Sequence, residues 1–470
     1  MNRIGWALIP VLGLVLGGCN LAPKYSQPKT PVPASLPQGP AYQSGAEQAG
    51  SAPVQLQPAD FIKDPKLLQI LQLSLEQSRD LRLAMLNVES ARSLYRIQRA
   101  ELFPSVGASL SGTKQHSSRD LSRPGESRTT ERYSVDLGVT AWEIDLFGRI
   151  RNLKQSALEQ FFAVEEYRRG AEILLIGEVA RAYYTLASDQ EALKLAGSTL
   201  EAQQASYKLV DTLYRNGLAT ELDLRRAQTQ VEAAREDIGL YTQLVAQDIN
   251  ALNFLVGASV PADQLPGGLG EIVPPETVRA GVSSAVLLGR PDVAAAEHQL
   301  KAVYADIGAA RAAFFPRIGL TALGGTASGA LCGLFDAATG TWTFAAQAVM
   351  PIFDARTRAA LQLTETQKEI LVTQYEKVIQ TAFRETADTA AVLGTIDGRI
   401  QSHVALLDAS SEAYRLSQVR FQNGIDSYLG VLDAQRSLYT AQQAMVYLEL
   451  AKYSNQIRFY EVLGGQGYRP

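Results

Sequence analysis

Arg99-Ala100-Glu101-Leu102-Phe103-Pro104-Ser105-Val106-Gly107 returns as Arg311-Ala312-Ala313-Phe314-Phe315-Pro316-Arg317-Ile318-Gly319, 212 residues later. Further along, Tyr214-Arg215-Asn216-Gly217-Leu218 returns as Phe421-Gln422-Asn423-Gly424-Ile425 at an offset of 207, and Ala227-Gln228 matches Ala434-Gln435 at the same offset. A repeat this long is no solenoid unit, whose periods run about 20–50 residues. It marks a duplicated domain with internal pseudo-symmetry. Such chains build walls and channels more readily than one asymmetric catalytic pocket.

Each copy carries the same order of elements. Around the repeated Pro, apolar residues change from helical to alternating spacing. Before Pro104 the stripe Leu81, Ala84, Val88, Ala91, Tyr95, Gln98, Leu102 steps by three and four, and Val293, Ala296, Leu300, Val303, Ile307, Ala310, Phe314 repeats it. After Pro104, Val106, Ala108 and Leu110 alternate with small or polar residues, as do Tyr133, Val135, Leu137, Val139 and Ala141. The second copy answers with Ile318, Leu320, Ala322 and then Trp342, Phe344, Ala346, Ala348. One apolar face and one small or polar face, over about ten residues, is the pattern of a transmembrane barrel strand. A soluble half-buried sheet gives the same alternation. The polar stretch Lys114 to Arg132 is expected to be an exposed loop.

Beyond the strands, prolines vanish between Pro124 and Pro261 and between Pro351 and Pro470. These blocks are rich in Ala, Leu, Gln, Glu and Arg, which favour helix. Gly148 to Asn216 predicts one helix of about 69 residues, about 100 Å long. Leu224, Ala227, Val231, Ala234, Ile238, Tyr241, Val245, Asp248, Leu252 and Leu255 keep a seven-residue period, which implies left-handed supercoiling. A second apolar row (Leu429, Leu432, Tyr439, Val446, Leu450) gives helices with neighbours on two sides, as in a cylinder. A plain antiparallel bundle fits the same periodicity.

The expected organisation is a signal peptide at 1–18, an extended N-terminal arm at 19–79, repeat 1 at 80–257 with a hairpin at 105–142, and a linker at 258–291. Repeat 2 then covers 292–464 with a hairpin at 317–350, and a tail covers 465–470. Arg3 followed by the short apolar run Ile4–Leu16 fits a cleaved leader rather than a membrane span. Leu16-Gly17-Gly18-Cys19 resembles a bacterial lipoprotein box, with Cys19 the lipidation site bearing diacylglycerol and palmitate. An ordinary secretory leader with an incidental cysteine is the alternative. Asn20, where an Asp favours inner-membrane retention, points to the outer membrane. Cys332 is the only other cysteine, so a lipidated chain forms no internal disulfide.

Net charge is −4, from 44 basic and 48 acidic residues, with no basic run, which argues against a nucleic-acid partner. No apolar stretch after the leader is long enough for a membrane helix. His116, His298 and His403 are scattered singly, and no nucleotide-binding or nucleophile motif is present. No enzymatic activity, cofactor or metal is expected. Four strands cannot close a barrel. Eight from two chains would be filled by their own side chains, whereas twelve from three chains leave a lumen.

With these features assembled, the chain resembles the outer-membrane efflux channels of the OprM branch of the TolC superfamily over nearly its whole length. The matching stretches are Tyr95–Ala100, Trp142-Glu143-Ile144-Asp145-Leu146-Phe147-Gly148-Arg149, Ile307–Pro316 and Leu432-Asp433-Ala434-Gln435-Arg436-Ser437-Leu438. The resemblance implies an internally duplicated, mixed α and β membrane protein. It forms a trimeric 12-stranded transmembrane β-barrel, four strands per chain, continuous with a long α-helical coiled-coil barrel. It further implies a homotrimer in outer-membrane lipid, working with a periplasmic adaptor and an inner-membrane, proton-driven efflux transporter to export small toxic compounds. A duct for protein secretion is the alternative function, and a lipid-anchored coiled coil without a pore is a third. By the same resemblance the tunnel narrows at the periplasmic turns around Gly217 and Gly424, with Asp223, Asp433 and Arg436 as the gate. Phe421 stands where the TolC pattern has a tyrosine whose hydroxyl ties neighbouring coils, and Asp426 stands where it has an arginine, so neither of those contacts can form here.

Overall fold

The computed structural model describes residues 19–45, 58–123, 125, 127–276 and 284–465. The expected leader at 1–18 and the tail beyond 465 lie outside them. Seven α-helices longer than one turn are described: α1 (Pro65–Gln77), α2 (Arg79–Ala100), α3 (Arg149–Arg215), α4 (Glu221–Val256), α5 (Pro291–Ala312), α6 (Ala355–Gln422) and α7 (Tyr428–Val462). Four strands stand between them: β1 (Val106–His116), β2 (Thr129–Ile144), β3 (Arg317–Ser328) and β4 (Gly340–Val349). Among the described residues no helix is long and apolar enough to cross a membrane. Two compact units cut across the repeats: 19–29, 87–165 and 295–375 make one, and the other described residues make the second.

In the first unit the strands form one antiparallel sheet in the order β1-β2-β3-β4. The registers align the apolar positions across it. Val106 faces Val139, Val139 faces Ala322, and Ala322 faces Phe344; one pair along, Ala108, Leu137, Gly324 and Trp342 form the next row. This face is open: Trp342 is 80% exposed and Leu110 76%. The opposite face is small and polar, with Ser111 and Ser134 hydroxyls 2.8 Å apart. Gly138 is obligatory there, because a Cβ would lie 2.1 Å from the Ala322 carbonyl oxygen.

Two expectations need correction. Ala141 does not continue the apolar row of β2. A β-bulge falls between Val139 and Trp142, with Ala141 in the left-handed region at φ 57°, and this shifts the alternation by one residue. Trp142 and Ile144, paired with Leu320 and Ile318, take over the face. The loop between β1 and β2 is also shorter than Lys114 to Arg132. The ladder continues to His116–Thr129, and Lys114 Nζ reaches Glu131 Oε1 at 2.6 Å across the strands. Opposite charges facing each other support pairing where apolar content ends.

The second unit holds the largest core. Leu67, Ile70 and Leu71 of α1, Ile176 to Ala187 of α3, Leu252 and Val256 of α4, and Ile457 and Tyr460 of α7 pack together with Leu269 and Ile272 of the linker. Asp64 binds these pieces. It caps α1 by accepting from the Lys66 and Leu67 N–H groups, and it also accepts from the Val273 N–H and the Tyr183 hydroxyl. A buried carboxylate with four donors is fully satisfied, so it orders the core instead of straining it. Arg290, 8% exposed, plays the same part from the cationic side, donating to Asp292, Glu385 and the Val462 carbonyl.

The heptad seam of α4 is as the spacing predicts. Leu224, Ala227, Val231, Ala234, Tyr241 and Leu252 are buried. In α5 the stripe from Val293 to Ile307 is buried, but Phe314 beyond the helix end is 40% exposed.

Candidate functional site

Two helix turns of the second unit carry most of the residues assigned to a gate, and they share one backbone solution. After α3, Gly217 adopts φ 74°, and Leu218 N–H returns to the Leu213 carbonyl at 2.8 Å. After α6, Gly424 adopts φ 71°, and Ile425 N–H returns to the Arg420 carbonyl at 2.9 Å. Both are Schellman closures, which need a left-handed residue and so select glycine. The preceding asparagines bond alike, Asn216 to the Thr212 carbonyl and Asn423 to the Val419 carbonyl, both at 2.7 Å. The turns pack through one small cluster: Val210, Leu224 and Ala227 meet Tyr428, Val431 and Leu432, with Phe421 against them. Phe421 and Tyr428 rings are 5.4 Å apart.

The side chains then diverge. Thr220 caps α4, and Asp223 closes a capping box by accepting from the Thr220 N–H and hydroxyl. Ser427 at the start of α7 makes no side-chain cap. Instead Arg420 and Asp426 pair across the turn with two hydrogen bonds. The guanidinium holds the Asp426 carboxyl below its ordinary range. Nothing in the local sequence announces a pair six residues apart, whereas Thr220-x-x-Asp223 is a readable cap signature.

Asp433 and Arg436 fall on one exposed face of α7, opposite buried Val431, Leu432 and Gln435. Among the described residues, neither side chain makes an ion pair or a side-chain hydrogen bond. They therefore present one unneutralised anion and one cation on a single helix turn. The Asp223 carboxylate accepts from Thr220.

In the first unit, Cys19 is exposed and begins a described arm that lies against the helices. Its carbonyl would be 3.0 Å from a Cβ at Gly148, and Ala22 would be 2.8 Å from one at Gly308. The Tyr25 hydroxyl donates to Glu297 at 3.0 Å, and Gln27 donates to the Tyr375 hydroxyl at 3.0 Å. The three histidines bond within the fold: His116 with Thr129, His298 with Glu159 and His403 with the Ala441 carbonyl. Among the described residues no group of three or more metal-type ligands is assembled.

A four-stranded sheet with an exposed apolar face, and long paired helices that turn on glycine, are the elements of a channel protomer. The sequence profile described as outer membrane efflux protein matches residues 70–258 and 282–465. The chain belongs to that family. It is 45% identical over 453 residues to a solvent efflux pump outer membrane protein, SrpC, of Pseudomonas putida, covering 96% of each chain. It is 44% identical over 461 residues to an antibiotic efflux pump outer membrane protein, ArpC, of the same species, covering 98% of this chain and 95% of that one. Among solved structures, the open state of the Neisseria gonorrhoeae outer membrane channel MtrE superposes with a TM-score of 0.85 at 34% identity, covering 96% of this chain and 99% of that one.

Proposed function

We propose that the chain is one protomer of a homotrimeric outer-membrane duct in a tripartite efflux pump, a passive conduit for small toxic compounds such as solvents and antibiotics. One observation carries this: a four-stranded sheet with a continuous exposed apolar face and two edges, on β1 and β4, that no described strand pairs. Pairing β4 of one copy with β1 of the next in three copies closes twelve strands, apolar outside and small or polar inside. The seams of α3, α4, α6 and α7 supply the periplasmic tunnel. The partners are a periplasmic adaptor and a proton-driven inner-membrane transporter, which provides the energy and selects the cargo. Cys19 carries the lipid, an auxiliary anchor beside the barrel.

At the tip, Asp433 of three copies forms a ring facing the pore, and Arg436 flanks it. Like charges gathered in a narrow ring attract cations. Asp433→Ala, alone or with Arg436→Ala, weakens cation selectivity and raises single-channel conductance in planar bilayers. Unchanged conductance and selectivity in the double variant refute the ring. For the duct itself, deleting the gene lowers resistance to solvents and antibiotics, and restoring it recovers resistance. Loss of an exported protein with unchanged resistance would instead assign it to secretion. A purified protein that conducts no ions in any state would rule out both.

A further inference from the structure

The α3–α4 coil contains a layer that its heptad pattern does not explain. Towards the turn, Ala192 and Ala196 of α3 pack on Tyr241 of α4, with Ile238 and Leu244 around them. On the other side, Leu186 of α3 shares the main core with Leu252 of α4. Between these apolar layers lie Asp189 and Asp248, each acting directly on the other. Asp189 is 9% exposed. Asp248 Oδ2 is buried and receives no conventional hydrogen bond. Asp248 also occupies a seam position; the other seam positions hold Leu, Ala, Val, Ile or Tyr.

The charged groups on the packed elements do not neutralise this pair. On α3, Glu191 lies nearby and Lys194 is paired with Glu271 at 3.0 Å. On α7, Lys452 is paired with Asp397 of α6 at 2.8 Å, beside Glu449. On α1, Glu76 is bonded to Gln72. None of these acts on Asp189 or Asp248. Burial raises the Asp189 carboxyl. Burial first, and then the Asp189 charge, push Asp248 up to about 7. Burial of two facing carboxyls thus favours one proton shared by the pair.

We propose that Asp189 and Asp248 form a proton-dependent clasp that sets how tightly the α3–α4 coil of the first repeat is closed. With one proton shared, a carboxyl donates to a carboxylate and joins the two helices. Without it, two anions face each other between apolar layers, with no cation to offset them. The second repeat lacks the device. At the offset of 207 its positions are Ile396, 1% exposed, and Asn455, whose amide donates to the Thr389 carbonyl. The two coils therefore differ at this layer. This inference stands apart from the duct reading, since it concerns the closure of two helices in one chain.

The sign follows from the direction of the shift. A carboxyl raised in the closed state holds a proton that the opened state releases. Closure is therefore strongest below the ordinary carboxylate range and weakens as pH rises through about 7. Hydrogen exchange by mass spectrometry on the purified full-length protein tests this at pH 6 and pH 8. After correction for intrinsic exchange, opening of peptides covering 185–193 and 244–252 rises about tenfold in the wild type. Peptides covering 390–398 serve as the control and stay flat. Asp248→Asn, and separately Asp189→Asn, removes the rise in the first pair of peptides. A wild-type rise absent from those peptides overturns the clasp. So does a rise that persists in either variant. If one variant fails to fold, the other variant and the wild-type profile still decide.

Discussion

The two helix turns are copies of one another in the backbone and strangers in their side chains. Asn216-Gly217 and Asn423-Gly424 make the same Schellman closure, bond for bond. Yet the first repeat secures the next helix with a Thr220–Asp223 capping box, while the second leaves Ser427 idle and ties the turn with Arg420 and Asp426. Duplication kept what the backbone requires, because only a left-handed residue completes that closure. It released what water can supply. The first turn is held by bonds within its own helix start, and the second by an ion pair that salt and acid can remove.

The seam alanines test this contrast most strongly. Ala227 is 1% exposed, whereas its counterpart Ala434 is only half-buried within the chain. Ala227→Phe should destabilise the protein by about 1–3 kcal/mol through overpacking. Ala434→Phe should cost less in the isolated chain, and as much only where a neighbouring protomer covers it. Thermal unfolding of both variants, with and without conditions that dissociate the oligomer, measures the difference. Equal losses in the monomer would contradict the asymmetry.

A smaller effect comes from the caps. Thr220→Ala removes the acceptor for the Asp223 N–H and should cost about 0.5–2 kcal/mol. Ser427→Ala removes no bond and should change stability by a few tenths at most. Denaturant midpoints compared pairwise report this directly, and comparable losses would mean that Ser427 caps α7 in solution.

The smallest effect belongs to Arg420–Asp426, which is exposed. Asp426→Asn should leave the global midpoint unmoved at moderate salt and loosen only the end of α6. Because the Asp426 carboxyl is lowered, the contribution of the pair is present above the ordinary carboxylate range and is lost as pH falls through the lowered value. Amide exchange at 418–426, followed from neutral pH into acid at low salt, reads it. A pH-independent profile would remove the pair as a determinant of the turn.

How much of this could be read beforehand depends on what kind of contact carries it. The duplication, the α4 seam and the four strands are periodic, and period is visible in a single sequence. The glycines at 217 and 424 are equally legible, since the backbone demands them. The bulge at Ala141 was not, because a one-residue slip comes from pairing with β3, far away in the chain. Nor were the extra rungs up to His116 and Thr129, where a Lys114–Glu131 pair extends a ladder through polar residues. The spacing of Asp433 and Arg436 is enough to put them on one helix face, and Thr220-x-x-Asp223 is enough to suggest a cap. Asp248 stood in plain view as a seam position. Only its neighbour on another helix reveals that it is half of a pair.

The unpaired edges of β1 and β4 also bear on biogenesis. Lipid offers no donor or acceptor to an open strand edge, and each unmet group there costs several kcal/mol. A lone chain therefore has no stable membrane-embedded form, and in water its exposed ladders are templates for aggregation. Entry into the bilayer and association of the copies must be a single kinetic event. Its rate then rises more steeply than linearly with the concentration of unassembled chain.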